Sequence, residues 1–477
     1  MPTTSAATVA VMDMGKTNVK LSASTADGQI LETVSTPNTV RDNPPWRHID
    51  LEGLGQWALS ELSGLCRRHP IVHIIAAAHG SGGVLVGDDP DGYGGGAILP
   101  MIDYEQPLPQ GINDDYLPLT GNFFDRGSAT MPAAAHQARQ LFWMQLAEPH
   151  RFAKARWYLG LPQYWAWQFS GRVAAETSFL GAQSHLWNVV ERRFAPIVDT
   201  QGWRHLMPEF SEAWAALGPL RSELARRFGL PATIEVHTGV HDSSANFYLY
   251  QATGDEHFTV ISTGTWIVAL GDQVQLEALD ERRNMTCNSD VFGRPLGGAL
   301  TMAGREFSHV AGEQPHGAVA EVAEIERIVA RGTLALPAFG IDSGQFPNAA
   351  GRGRIVGLPP ENAPERLALA VLYMALLTVT CADALGAGRR VVLDGSYLRD
   401  PLYARLVSTL RPGSVTLYNC EGYGVAAGAA LLCGHETRRN PISLALDEPA
   451  SISGLVGLSA YATRWLDLSH SVTNQEH

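Results

Sequence analysis

Three short stretches combine glycine with hydroxyl, basic or acidic side chains in a way suited to holding phosphate. They are Asp13-Met14-Gly15-Lys16-Thr17-Asn18, Ser262-Thr263-Gly264-Thr265-Trp266 and Leu393-Asp394-Gly395-Ser396-Tyr397. A glycine lets backbone N–H groups approach an anion with no Cβ in the way, hydroxyls add neutral donors, and a carboxylate beside them can hold Mg²⁺ through water. On that basis Asp13 is the metal candidate, and Gly15, Lys16, Thr17, Asn18, Thr263, Gly264 and Thr265 are the phosphate candidates. Gly395, between Asp394 and Ser396, offers a place where a flat ring can lie against the backbone, although an ordinary strand-to-helix turn fits the same residues. Gly15-Lys16-Thr17 also resembles the end of a Walker A loop. That reading fails, because the motif's first glycine would be Ala10 and the residues after Thr17 alternate as in a strand where the loop requires a helix.

The elements that must position these groups follow from periodicity. The apolar run to Met12, the polar turn and the alternation Val19, Leu21, Ala23 predict strand, turn, strand, and Asp27-Gly28 marks a second turn before Gln29 to Val34. A helix is expected at about residues 50 to 67, then a buried strand from His73 to Ala78 that ends in the glycine-rich HGSGG of 79 to 83. Residues 87 to 127, rich in Gly, Pro and Asp, predict an extended loop region, and helical patterns dominate from Ala133 to Phe228. HFTVISTGTWIVALG then repeats the opening strand–turn–strand pattern, which implies two similar α/β lobes with a cleft between them, 1–250 and 251–477. The second half continues through a long apolar helix, the strand VVLDG, a helix near Pro401 to Leu410 and the small-residue helix GVAAGAALL. The tail from about Glu436 is weakly patterned.

Composition narrows the functions. The 477 residues carry 35 basic and 48 acidic side chains, a net charge of −13, which argues against broad binding to nucleic acid or anionic membrane. Negatively charged ligands must then be met locally, by loops. The five cysteines form no CxxC pair, so neither a zinc site nor a disulfide framework is expected and a reducing cytoplasm fits best. The N-terminus lacks a basic region ahead of its apolar stretch. The apolar run Leu367 to Ala382, interrupted by Thr378 and Thr380, reads as a buried helix.

The three loops, in this order, resemble those of the FGGY family of carbohydrate kinases, built on the duplicated ribonuclease-H-like fold shared with actin, hexokinase and Hsp70. Leu161 to Trp187, Pro337 to Leu358 and the final GYGVAAGAALL are similar to further stretches of that family. The resemblance implies an ATP- and Mg²⁺-dependent sugar kinase with a small-molecule sugar substrate, no nucleic-acid or membrane partner, and a homodimer as the assembly to test. It departs from the family at Asp394, where a glycine is usual, and at Lys16, where a small or hydroxyl residue is usual.

Locally, Asp242 in GVHDSSANF reads as a helix cap. The resemblance makes it the base that receives the acceptor's hydroxyl proton, with His241 as a sugar-orienting neighbour. It likewise puts His79, Gly80, Gly82 and Gly83 against the sugar, with Gln137 approaching it. For Gln137 and Gln140 the face of an amphipathic helix is the simpler explanation, and for Trp165, Trp167 and Trp187 the core. GTW in the second loop and MPAAAHQARQLFW resemble the L-rhamnulose and L-fuculose kinases more than those for xylulose or glycerol. Kinases of xylulose, ribulose or a polyol stay open, as does a non-catalytic ATP-binding protein of the actin or Hsp70 kind.

Overall fold

The computed structural model describes residues 8–255, 257–386, 388, 390–419 and 424–471. The backbone divides into two compact units. One comprises Met1–Asp255, Cys287–Pro295 and Tyr423–Ser443, and the other Glu256–Thr286, Leu296–Gly422 and Leu444–His477. The second half is therefore not one continuous body, as a division at 250 and 251 would have it, because two of its segments return to the first unit.

In the first unit, Thr8–Met14, Asn18–Thr25 and Ile30–Pro37 form an antiparallel meander, and Thr8–Met14 also pairs in parallel with Ile71–Ala78. Glu235–His237 follows in parallel, with Ala216–Pro219 antiparallel at the edge. The near-continuous apolar runs VAVM and IIAAA are what a central strand covered on both faces requires. Helix Leu51–Cys66, whose start is capped by Asp50 accepting from Gly53 N–H at 3.1 Å, and helix Leu161–Ser170 pack into this core, where Trp165 and Trp167 are buried. Small residues permit the other close packing: Gly428 of helix Gly424–Cys433 lies against the backbone of Ala245 in helix Asp242–Gln251.

The second unit repeats the plan. Thr259–Thr263 and Trp266–Gly271 form a hairpin, Pro295–Met302 extends it antiparallel, and Arg390–Gly395 and Val415–Tyr418 join Thr259–Thr263 in parallel. With the five shared strands counted in chain order, each sheet runs third, second, first, fourth, fifth. Helix Ala363–Ala384, capped by Asn362, is long and apolar enough to cross a membrane by length and composition, but it is packed into the core of this unit, as the sequence pattern predicts.

Two expectations needed correction. Short strands, Trp157–Gly160, Trp187–Asn188, Arg193–Phe194 and Ala216–Pro219, interrupt the region expected to be helical from Ala133 to Phe228. The weakly patterned tail contains helix Leu458–Ser471, which buries Leu458, Tyr461 and Trp465. Its apolar positions are spaced widely among polar residues, so the signal is faint.

Candidate active site

Asp13 is the penultimate residue of the first strand. Met12 and Met14 on either side point into the core, so alternation turns the Asp13 carboxylate to the opposite face of the strand. Burial is the main influence on this carboxyl and pushes it up to about 6; Lys20 opposes the shift and the nearby charge of Asp242 adds to it. The turn that follows closes with Gly15 N–H donating to Asn18 O at 3.1 Å, and a Cβ on Gly15 would stand 2.9 Å from that oxygen. Asn38 clamps the turn from outside, its Nδ2 donating to Gly15 O and its N–H to Thr17 O, both at 2.8 Å. Thr17 and Asn18 are exposed.

Lys16 does not project freely from this turn. Its ammonium donates to Oδ1 of Asp103, lies 3.6 Å from Oε2 of Glu105 and sits 4.9 Å from the centre of the Tyr104 ring. The Asp103 side chain is fully buried, and its other oxygen accepts from Arg47 at 2.7 Å.

Asp242 opens helix Asp242–Gln251, and its cap is His241, so the capping position lies one residue earlier than the motif suggests. Oδ1 of Asp242 accepts from Ser243 N–H at 2.5 Å and Ser243 Oγ at 3.2 Å, and it faces Nε2 of His241 at 3.2 Å. Among the described residues Oδ2 has no hydrogen-bond partner, and the side chain is 25% exposed. His241 is buried. Its backbone N–H donates to Ser178 Oγ at 3.3 Å, which in turn donates to Glu176 at 2.7 Å.

His79 follows the strand Ile71–Ala78. Burial first, with Lys16 and His241 adding to it, holds its imidazole down near 4 against the opposing pull of Asp242 and Asp103, so it is neutral at pH 7. Its Nδ1 accepts from Ser81 N–H at 3.4 Å, which puts the ring proton on Nε2 as a donor. Gly80, Gly82 and Gly83 face the interior, where a Cβ would run into Ala182, Met101 and Tyr158 respectively. Gln137 is fully buried. Its amide donates to Gly80 O at 2.8 Å and accepts from Tyr158 O–H at 3.2 Å, while Gln140 one helical turn on donates to Ser81 O at 2.9 Å. The two glutamines thus hold consecutive carbonyls of the HGSGG loop. Trp187 is buried along with Trp165 and Trp167.

In the second unit Gly264 N–H donates to Trp266 O at 2.9 Å, and a Cβ on Gly264 would meet nothing within 4 Å. A cavity of about 630 Å³ opens beside it, lined by Gly264, Thr265, Gly304, Arg305, Tyr397 and Ser396, with Phe307, Ser308 and His309 completing the wall. Thr263 and Asp394 are buried beneath. Thr263 Oγ donates to Asp394 O at 2.9 Å and accepts from Tyr397 N–H at 3.3 Å. Gly395, at φ 103°, is confined by the Thr263 backbone, into which a Cβ would collide. The need for glycine there is imposed by strand pairing with Thr263.

Residues 8–247 match the N-terminal domain of the FGGY family of carbohydrate kinases, and residues 255–441 match the carbohydrate kinase FGGY C-terminal domain. The chain belongs to the FGGY family. The L-fuculokinase of Escherichia coli (strain K12) is 25% identical over 298 residues, a match spanning 59% of this chain and 60% of the relative's own length. A carbohydrate kinase from Novosphingobium aromaticivorans has the same fold, with a TM-score of 0.83 and 28% identity over 98% of this chain and 99% of that one. A ligand-bound xylulose kinase from Lactobacillus acidophilus shares the fold at a TM-score of 0.82 and 14% identity, over 98% of each chain.

Sequence reasoning missed helix Gly304–Ala311, which supplies over half of the cavity wall. Its strongly amphipathic GREFSHVA was the available signal. It also missed Asp103, Tyr104 and Ser178, which reach the site only through tertiary contacts.

Proposed function

We propose that this protein is an ATP-dependent sugar kinase whose acceptor is a ketose, most favourably a deoxyketose such as L-fuculose or L-rhamnulose. The observation that carries the reading is Asp242: one carboxylate oxygen is held by its neighbours, while the other has no hydrogen-bond partner among the described residues and the side chain is a quarter exposed. In phosphoryl transfer the protein chiefly positions reactants and balances charge, and a carboxylate of this kind takes the hydroxyl proton as the oxygen attacks phosphorus. His79 Nε2–H is the donor that would orient the acceptor. Gln137 supports it from behind by fixing Gly80.

The nucleotide reading rests on the second-unit cavity. Gly264 and Thr265 would receive phosphate oxygens, Ser396 and Tyr397 would lie toward the nucleoside, and the large volume suits a ligand of that size. Mg²⁺ fits Asp13, because a carboxyl whose ionisation is opposed by burial gains most from a divalent cation nearby. Among the described residues no group of three or more His, Cys, Asp or Glu side chains could hold a metal, so the remaining ligands would be phosphate oxygens and water. When bound, the ion supplies charge neutralisation on the transferring phosphoryl group.

The deoxyketose assignment draws on the L-fuculokinase relative and on the GTW turn. A coupled assay of ADP release over ketoses and polyols tests it. Highest kcat/KM with L-fuculose or L-rhamnulose is expected, whereas xylulose, ribulose or glycerol at the top would replace the acceptor and keep the kinase. ATP binding without turnover on any acceptor would favour the non-catalytic alternative.

A further inference from the structure

The hydrogen bonds around His241 leave one proton to be placed. Ser244 has a single hydroxyl proton, and it goes to the carbonyl of Ser289, which can only accept, at 2.8 Å. The ring nitrogen Nδ1 of His241 lies 3.0 Å from the same Ser244 oxygen, so Nδ1 must be the donor there. Nε2 then faces Oδ1 of Asp242 at 3.2 Å. With a neutral ring and an ionised carboxylate, two lone pairs would oppose each other across a mostly buried contact. A proton between them removes that conflict.

We infer that His241 and Asp242 act as one base, a pair that holds a single proton between Nε2 and Oδ1 at rest and receives the acceptor's proton at Oδ2. This rests on the kinase reading above and assigns His241 a part in proton transfer where the sequence suggested a sugar contact. In the step, the acceptor O–H bond breaks and its proton bonds to Oδ2, while the proton already shared settles on Nε2. The electron pair left on the acceptor oxygen forms the new O–P bond, and the P–O bond to the departing nucleoside diphosphate breaks with its electrons. The pair ends the step with two protons and returns one to water as product leaves. The charged and titratable groups facing it are Asp13 from the first strand and His79 beyond the fourth strand. Ser244 and Ser289 serve as positioning residues, since they fix which ring nitrogen faces the carboxylate.

The test uses the full chain. His241→Gln keeps an amide able to hold Oδ1 but cannot take up a proton. The expected result is a fall in kcat of about 10²-fold with KM for both substrates within about threefold. A fall of less than tenfold overturns the inference. In ligand-free ¹⁵N-labelled protein, with the His241→Gln spectrum providing assignment, the Nε2 resonance should be displaced from the bare-nitrogen range and return to it in Asp242→Asn. A bare Nε2 in the wild-type protein overturns the inference without recourse to activity. Asp242→Asn separates the two levels: if it keeps turnover, the kinase base itself is misassigned, and if it is inactive while His241→Gln is not, only the pairing fails.

Discussion

The two hairpin turns occupy the same place in two sheets of the same strand order, yet they are built for different work. The Asp13–Asn18 turn is crowded and charged. Its glycine is packed against Asn18 O, its lysine is held by Asp103 and Glu105, and its aspartate has a raised pKa. The Gly264–Thr265 turn is neutral and open, with nothing near the position of a Gly264 Cβ and a large cavity beside it. The scaffold is the same in both, and what differs is the charge and the free space at the turn. The first turn lies with the residues suited to acid–base and metal chemistry, and the second offers unobstructed backbone to an anion.

The sharpest way to break this division is Asp242→Asn. The expected outcome is a folded protein that binds nucleotide and acceptor but turns over about 10²- to 10⁴-fold more slowly, as measured by ADP release. Retention of more than about a tenth of wild-type kcat would make Asp242 structural.

Gly264→Val should do the converse. Because the added side chain points into open space, the protein should melt like wild type, while ATP titrated calorimetrically should bind at least about tenfold more weakly. The same change at Gly15 would force the turn apart, so the contrast between the two glycines is itself a check.

Lys16→Met addresses charge within the first turn. It takes the nearest cation from the buried Asp103, leaving Arg47 and the Glu105 N–H, and removing a hydrogen bond to a charged group costs about 2 kcal/mol, to be read from urea unfolding of the ligand-free protein. A lysine serving phosphate alone would leave that stability unchanged.

Asp13→Asn gives the smallest effect and one of opposite sign. A carboxyl that titrates near 6 when folded and at 3.8 otherwise favours the folded state while protonated, so its ionisation lowers stability progressively from about pH 4 to pH 6. The substitution should therefore stabilise the ligand-free protein at pH 8 and have no such effect below pH 3.8. Equal melting temperatures of the two proteins at pH 8 would show that the carboxylate is already compensated.

The turns were legible in the sequence because their chemistry is local: glycine, hydroxyls and a carboxylate lie next to each other, between strands whose alternation is strong. Helix Leu51–Cys66, strand Ile71–Ala78 and helix Pro401–Leu410 were legible for the same reason. The short strands after Ala133 were not, since two to four residues carry too little periodicity to outweigh neighbouring helical patterns. Gln137 shows a different limit. Its place on a helix was readable, but its hydrogen bond to Gly80 joins residues far apart in the chain.

The sequence by itself determined the repeated strand–turn–strand plan, the buried helix over Leu367 to Ala382 and the identity of Asp13 and Gly264 as chemically capable groups, because periodicity and residue type act over a few neighbouring positions; Asp242 read locally as a helix cap and owed its role to the family resemblance. Only the tertiary structure decided that Lys16 is paired with Asp103, that Gly395 answers to the Thr263 backbone, that helix Gly304–Ala311 walls the cavity and that Ser289 orients His241 through Ser244. Each of those depends on where a distant backbone lies when the core closes. Hydrogen-bond direction and burial, and the proton affinities that follow from them, are set only at that stage.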